Sequence, residues 1–263
     1  MKIPINPMVA SWNWFSYWCS SYPAYSVAVA TLSGIGSGYL LSKADQSFWF
    51  FIPAAITALL SALPPSATAY WDRKNDLDED ATAARERVMD QAIPPLLEEA
   101  CQLSTSRSNQ RVVALKGAAQ IVTKDLIAAY SLVPNVRAAV YQVSDDGKKM
   151  TVLARAGRNQ KPQPFVRGTT RGDQAFKVLA MTENFEFVAD LSEAPSSWEG
   201  SGKGYKTYIS APIRVGDSGY GMLTLDAPKV GDLDSRDGST VSLLAATLSI
   251  YFSEATRTTR NLS

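Results

Sequence analysis

Charge is almost missing from the first 71 residues of this 263-residue chain. Lys2, Lys43 and Asp45 are the only charged side chains there, and the other 192 residues hold the remaining 48. Forty consecutive uncharged residues separate Lys2 from Lys43, and 26 separate Asp45 from Asp72. A soluble domain must put charged or polar side chains in water and rarely goes so far without them. Residues 22–41, YPAYSVAVATLSGIGSGYLL, have the roughly 20-residue length that carries a helix across a bilayer core. Residues 48–70, FWFFIPAAITALLSALPPSATAY, are more densely apolar. The polar link at 42–47 permits only a tight hairpin between the two, so residues 1–71 read as a two-helix transmembrane hairpin. Trp12, Trp14, Phe15, Tyr17 and Trp18 before the first span, Phe48, Trp49 and Phe50 at the turn, and Tyr70 and Trp71 at the exit fall where aromatic belts form. Pro53, Pro64 and Pro65 are better tolerated in a membrane helix than in a soluble one. The competing interpretation is a buried helical hairpin in a soluble domain. A cleaved signal peptide fits poorly, because the aromatics precede the apolar core and the second stretch would remain. Residues 3–20 fit either a short amphipathic or a re-entrant piece.

The flanks predict an orientation. Arg73, Lys74, Arg85 and Arg87 follow the second span, whereas the hairpin turn holds one lysine and one aspartate. Basic residues near span ends favour the cytoplasmic side. The C-terminal part is therefore expected in the cytoplasm, and an even number of spans returns the N-terminus there too. That describes a multi-pass protein of the cell inner membrane with both termini cytoplasmic. Gly34 and Gly38, with Ala30 and Ser37 nearby, form a small-residue face suited to close packing against the second span or against another copy.

Residues 72–104 read as a helical stalk. Leu77, Ala81, Ala84 and Val88 recur at helical spacing. Pro94 and Pro95 should interrupt it, since proline removes a backbone donor and clashes with the preceding turn. Beyond the stalk, 105–258 reads as one soluble domain, with 259–263 as a tail. A helix is predicted over 108–131, with Val112, Leu115, Ala119, Val122 and Leu126 on one face and Val113, Ile121 and Ile127 widening it. Another spans 235–256, with Val241, Leu244, Ala245, Leu248 and Phe252 at spacings of three and four and Ser235 as a candidate cap. Both are apolar over a wide arc, so each could cover a sheet and also meet a partner subunit; a homodimer through 108–131 and 235–256 is the expected geometry. Between them the period changes to two. Strands are predicted at 136–143, 150–156, 187–190, 207–215 and 219–226, with hairpin turns at Asp146-Gly147 and at GDSG, and a short helix at 172–179. That order implies an α+β fold, an antiparallel sheet flanked by helices on one side.

Several chemistries are excluded by composition. The chain has no histidine, which removes imidazole acid–base catalysis, histidine-ligated haem and Ser-His-Asp or Cys-His nucleophiles. Cys19 and Cys101 cannot build a disulfide framework and lack metal-ligand spacing. A net charge of +1 gives no dedicated surface for a nucleic-acid polymer. No nucleophile and base stand out, so no catalytic residue, metal or cofactor is assigned, and an enzyme is not expected.

Four segments of the soluble domain carry a resemblance: RAAVYQVSDDGKKMTVLARAG at 137–157, FVRGTTRGDQAFKVL at 165–179, FVADL at 187–191 and YISAPIRVGDSGYGMLTLDAP at 208–228. They resemble a GAF domain, a small sensory and ligand-binding module related in fold to PAS domains. The last segment is the most specific, with Gly221, Leu223, Leu225 and Asp226 making the GxLxLD strand. The resemblance stops short of the membrane hairpin. It lacks the Asn-Lys-Phe-Asp-Glu signature of the cyclic-nucleotide phosphodiesterase type. No cysteine lies between 102 and 263, which excludes a covalent bilin and a cysteine-based sulfoxide reductase in this domain. Asp226 resembles the family's strand-end aspartate. TTRGD at 169–173 lacks the lysine and glycine spacing of a phosphate loop.

The resemblance implies a ligand cavity between one sheet face and 160–206, where Phe165, Arg167, Thr169, Phe176, Asp190, Trp198, Tyr205 and Tyr208 are candidate lining residues. Among these, arginine suits a planar anionic group and the aromatics suit a flat ligand. The plainer alternative makes Phe165, Phe176 and Trp198 core, and Arg167 with Asp190 a structural pair. Three functions follow as expectations. One is a membrane-anchored sensory or regulatory protein that binds a small molecule or a partner; no kinase, cyclase or phosphodiesterase domain follows, so its output would pass through a membrane or signalling partner or by oligomerisation. Another is a nucleotide-gated, membrane-disrupting effector of a bacterial defence system. The third is a structural dimerisation adaptor.

Overall fold

A computed structural model describes residues 7–44, 48–193 and 204–257. Trp198, the turn residues 45–47, the tail 259–263 and the side chains of Lys74, Leu77 and Ala81 lie outside the described residues. The chain divides into two compact units, Met1–Thr82 and Ala83–Ser263.

The first unit is helical. Helix α1 spans Pro7–Ser21, α2 spans Pro23–Ala44, and α3, which spans Phe51–Leu103, begins in this unit after a 3-10 turn at Phe48–Phe50. Two stretches, Pro23–Lys43 and Phe51–Arg73, are long and apolar enough to cross a membrane. Only 6% of the first and 17% of the second is buried within the protein, so these helices expose the side chains that a soluble fold would hide. Leu32 is 70% exposed and Leu59 is 70% exposed. The hydroxyls on these helices bond back to their own backbone: Ser33 donates to the Val29 carbonyl at 2.7 Å and Thr57 to the Pro53 carbonyl at 3.0 Å. That removes much of the penalty of placing a polar group in hydrocarbon.

The second unit begins within α3, whose last turns enter its core. Leu96, Ala100 and Leu103 are buried against α4 (Ser108–Ala129) and α6 (Ser235–Thr256). The helix is unbroken through Pro94 and Pro95, where the sequence predicts an interruption. Burial of the residues that follow, together with the Tyr251 hydroxyl donating to the Leu96 carbonyl at 2.6 Å, holds the backbone helical despite the missing donors. Six strands make one sheet: β1 (Arg137–Val143), β2 (Lys149–Gly157), β3 (Phe165–Val166), β4 (Glu186–Val188), β5 (Thr207–Val215) and β6 (Ser218–Ala227). Their order is β3-β2-β1-β6-β5-β4, and every neighbouring pair is antiparallel. The α+β architecture expected from the sequence is the one observed. Strand β3, two residues long, is too short to have shown a period.

Period-two alternation sorts the sheet into two packed faces. Val140, Leu223, Leu225, Ile209 and Ile213 point to the side covered by α4, α6 and the end of α3. Ala139, Tyr141, Met150 and Met222 point to the other side, under α5 (Thr170–Ala180). Helices therefore cover both faces, whereas the sequence predicts them on one. This explains why the first five residues of β1 are all buried rather than alternating. On α4 the buried face is Leu115, Ala118, Ala119, Val122 and Leu126. Val112, Val113 and Ile121, assigned to the apolar arc from sequence, are 39%, 69% and 44% exposed. The cap of α6 is Asp234, not Ser235. Its carboxylate accepts from the Arg236 and Asp237 amides, while Asp237 bonds back to the Asp234 amide at 2.7 Å.

Candidate functional site

Two clusters frame the segment between β2 and β5. The first grows from sheet register. Arg137 on β1 pairs directly across from Asp226 on β6, and Asp226 pairs across from Tyr208 on β5. Opposite charges at facing positions attract, and burial strengthens the attraction. Asp226 is 4% exposed. One carboxylate oxygen accepts from Arg137 Nε at 2.8 Å and Nη2 at 2.6 Å, and the other from Arg158 Nη2 at 2.8 Å. The two guanidiniums spend further donors on loop carbonyls: Arg137 on Gln160 at 3.3 Å, and Arg158 on Gly204. Each lies 5.9 Å from the Tyr205 ring. Two cations share one anion, so the cluster keeps a net positive charge. Burial pushes the Asp226 carboxyl above its ordinary value, and the two arginines oppose that rise.

The second cluster sits where β3 turns into α5. Thr169 caps α5: its hydroxyl accepts from the Gly172 amide at 3.0 Å and donates to the Val166 carbonyl at 2.7 Å. Gly172 must be glycine, because a Cβ there would collide with the Val166 carbonyl. Arg167 donates to the Gly147 carbonyl at 2.8 Å and lays its guanidinium 3.9 Å above the Phe176 ring. Arg171 does the same over Phe165, also at 3.9 Å. Phe176 is buried and Phe165 half-buried, in the cluster with Tyr141, Met150 and Met222.

Of the eight residues nominated from sequence, Phe165, Arg167, Thr169 and Phe176 thus meet around the start of α5. Tyr205 and Tyr208 meet near Asp226, with ring centroids 6.3 Å apart. The Tyr208 hydroxyl also donates to Glu186 at 3.2 Å. The Asp190 carboxylate accepts from the Ser192 amide at 2.8 Å, a bond that holds it below the usual carboxylate range. Arg167 and Asp190 thus each have a partner of their own. Arg137 and Arg158 were not nominated. The available signal was Arg137 itself, a charged residue opening a largely apolar strand opposite the GxLxLD aspartate. Arg158 gave none, since its reach to Asp226 spans a loop.

A separate groove of about 370 Å³ lies between α3 and α4, lined by Val88, Pro95, Leu96, Glu99, Ile121 and Asp125 among others. None of the eight nominated residues lines it. Among the described residues no group of three or more His, Cys, Asp or Glu is placed to hold a metal ion.

No family model matches the chain, and no curated protein matches it. Solved structures do. The chain is similar to a GAF domain structure at 20% identity, with 64% of this chain and 89% of that one covered and a TM-score of 0.47. It is similar to free methionine-R-sulfoxide reductase from Neisseria meningitidis at 16% identity, covering 66% and 90%, with a TM-score of 0.48. It is also similar to residues 122 to 287 of a methyl-accepting chemotaxis protein at 14% identity, covering 59% and 95%, with a TM-score of 0.46. What those proteins bind or catalyse is theirs alone.

Proposed function

We propose that this is a membrane-anchored sensory or regulatory protein. Its first unit spans the inner membrane twice, with both termini in the cytoplasm, and its GAF-like second unit binds a small molecule or a protein partner. The observation that carries this is the pair of span-length helices whose apolar side chains are exposed, in a chain whose second unit has a complete core of its own. Helix α3 supplies residues to both units, and Arg85 near the start of its second-unit portion bonds Asp237 at 2.9 Å. The proposed ligand site draws on both clusters: Arg167 and Thr169 with Phe165 and Phe176 at the start of α5, and Tyr205 and Tyr208 near Asp226. Their mix of guanidinium and rings suits a flat, anionic molecule. The protein acts as a homo-oligomer, through the exposed apolar residues of α4 and α6 or through the membrane helices.

Native mass spectrometry of the detergent-purified protein tests this. The expected spectrum shows a dimer or larger assembly with a retained small molecule that Arg167→Ala releases. A monomer without added mass, or a chain that stays in the supernatant after ultracentrifugation without detergent, overturns it. Dye leakage from vesicles on ligand addition would instead identify a membrane-disrupting effector.

A further inference from the structure

Helix α1 presents an inverted pattern. Ser16 and Cys19 are fully buried, and Ser20 reaches Asp72 on α3. Trp14 points away from these contacts and is 67% exposed, and Tyr17, beside α3, is still 53% exposed. No charged residue occurs from 7 to 21. A helix in water hides its aromatics; α1 buries Ser16 fully while leaving Trp14 and Tyr17 more than half exposed. Aromatic rings with a polar edge and an apolar body collect at the boundary between headgroups and hydrocarbon.

Its contacts say how it lies. The Tyr70 hydroxyl reaches Asn13 at 3.4 Å, Tyr17 packs edge-on to Trp71 at 5.4 Å, and Ser20 donates to Asp72 at 2.9 Å. From Asn13 to Ser20, α1 advances about 10 Å, while from Tyr70 to Asp72 α3 advances only about 3 Å. Helices running side by side would advance equally, so α1 runs across α3 at an angle rather than alongside it. The crossing falls where the 26 uncharged residues of the second span end, at Asp72, the first charge beyond them.

We propose that α1 is an interfacial helix that lies in the plane of the bilayer surface across the exit of the second span, with Trp14 and Tyr17 seated in the lipid headgroup boundary. This rests on the membrane assignment of α2 and α3. With no charge of its own, α1 is held by aromatic and apolar burial, so its depth does not depend on anionic lipid.

The test is depth measurement by spin-label accessibility in the full chain, carrying Cys19→Ala and Cys101→Ser and reconstituted into phosphatidylcholine vesicles. Single labels go at Trp14→Cys, Ser21→Cys and Ile56→Cys. Trp14 and Ser21 share a face and stand about 10 Å apart along the helix. A surface helix gives the two labels the same shallow depth, unchanged when phosphatidylglycerol is added. Depths that differ by roughly 10 Å mean that α1 runs along the membrane normal, and overturn the proposal. Water-like accessibility at both labels overturns it as well. Ile56, in the middle of the second span, reads deep if the membrane assignment holds, so a shallow Ile56 marks failure of that assignment rather than of the α1 placement. Tyr17→Cys replaces Trp14→Cys should the latter fail to reconstitute, and a helix along the normal then separates the two labels by about 6 Å.

Discussion

Asp226 holds three bonds to two arginines and sits between Arg137 and Tyr208 in register. Asp226→Ala would leave two guanidinium side chains, 10% and 13% exposed, without a counter-charge. The expected loss is about 3–5 kcal/mol of stability in chemical denaturation, and removing all three charges together should recover most of it. Tyr141 makes a pH prediction. It is 3% exposed, and burial pushes its phenol from 10.0 up to about 12. The folded state therefore favours the neutral phenol. Its contribution is complete below the unfolded value and is lost as pH rises from about 10 to about 12, up to roughly 2–3 kcal/mol. Thermal melts across that range should fall steeply for the native chain and less steeply for Tyr141→Phe. Other buried tyrosines add to the slope: Tyr130 and Tyr251 are also raised, first by burial.

Among the elements, α3 is the one whose sequence conflicts most with its structure. Its second-unit portion is fastened at two levels. Near Ala83, Arg85 bonds Asp237 and stacks 4.7 Å from the Tyr130 ring, whose hydroxyl donates to the same carboxylate at 2.8 Å. Further on, Tyr251 reaches the Leu96 carbonyl. Arg85→Ala would leave Asp237, 2% exposed, without its cation. We expect a loss of about 1–3 kcal/mol, with faster hydrogen exchange over 83–95 than over the sheet. Strand periods and the hairpin turns at Gly147 and Gly216 could be read directly, because each depends on residues a few positions apart. Strand β3 could not, since two residues show no period and only pairing with β2 makes them a strand. The cap of α6 slipped by one position for a related reason: Asp234 and Ser235 are both good caps, and the buried partner network of Asp237 selects between them.

At the scale of the whole molecule, oligomerisation has a clean probe. A Cβ at Gly34 or at Gly38 would meet nothing within 4 Å, so neither glycine serves packing inside one chain. Gly34→Leu should leave the melting of the second unit unchanged while shifting the native mass spectrum in detergent toward monomer. An unchanged assembly would assign self-association to the second unit instead, where Val113, Ile121, Leu243 and Ile250 are exposed on α4 and α6. The sequence by itself determined the contrast between an uncharged apolar helical part and a charged α+β part, the longer strands and the sheet-forming hairpins. Those follow from local charge, periodicity and turn chemistry, which neighbouring residues state in full. Only the tertiary structure decided that α5 closes the second sheet face, that Arg137 and Arg158 converge on Asp226, and that α1 packs Asn13, Tyr17 and Ser20 against α3. Each of these joins residues far apart in the chain, and the burial that makes such contacts strong does not exist until the chain has folded.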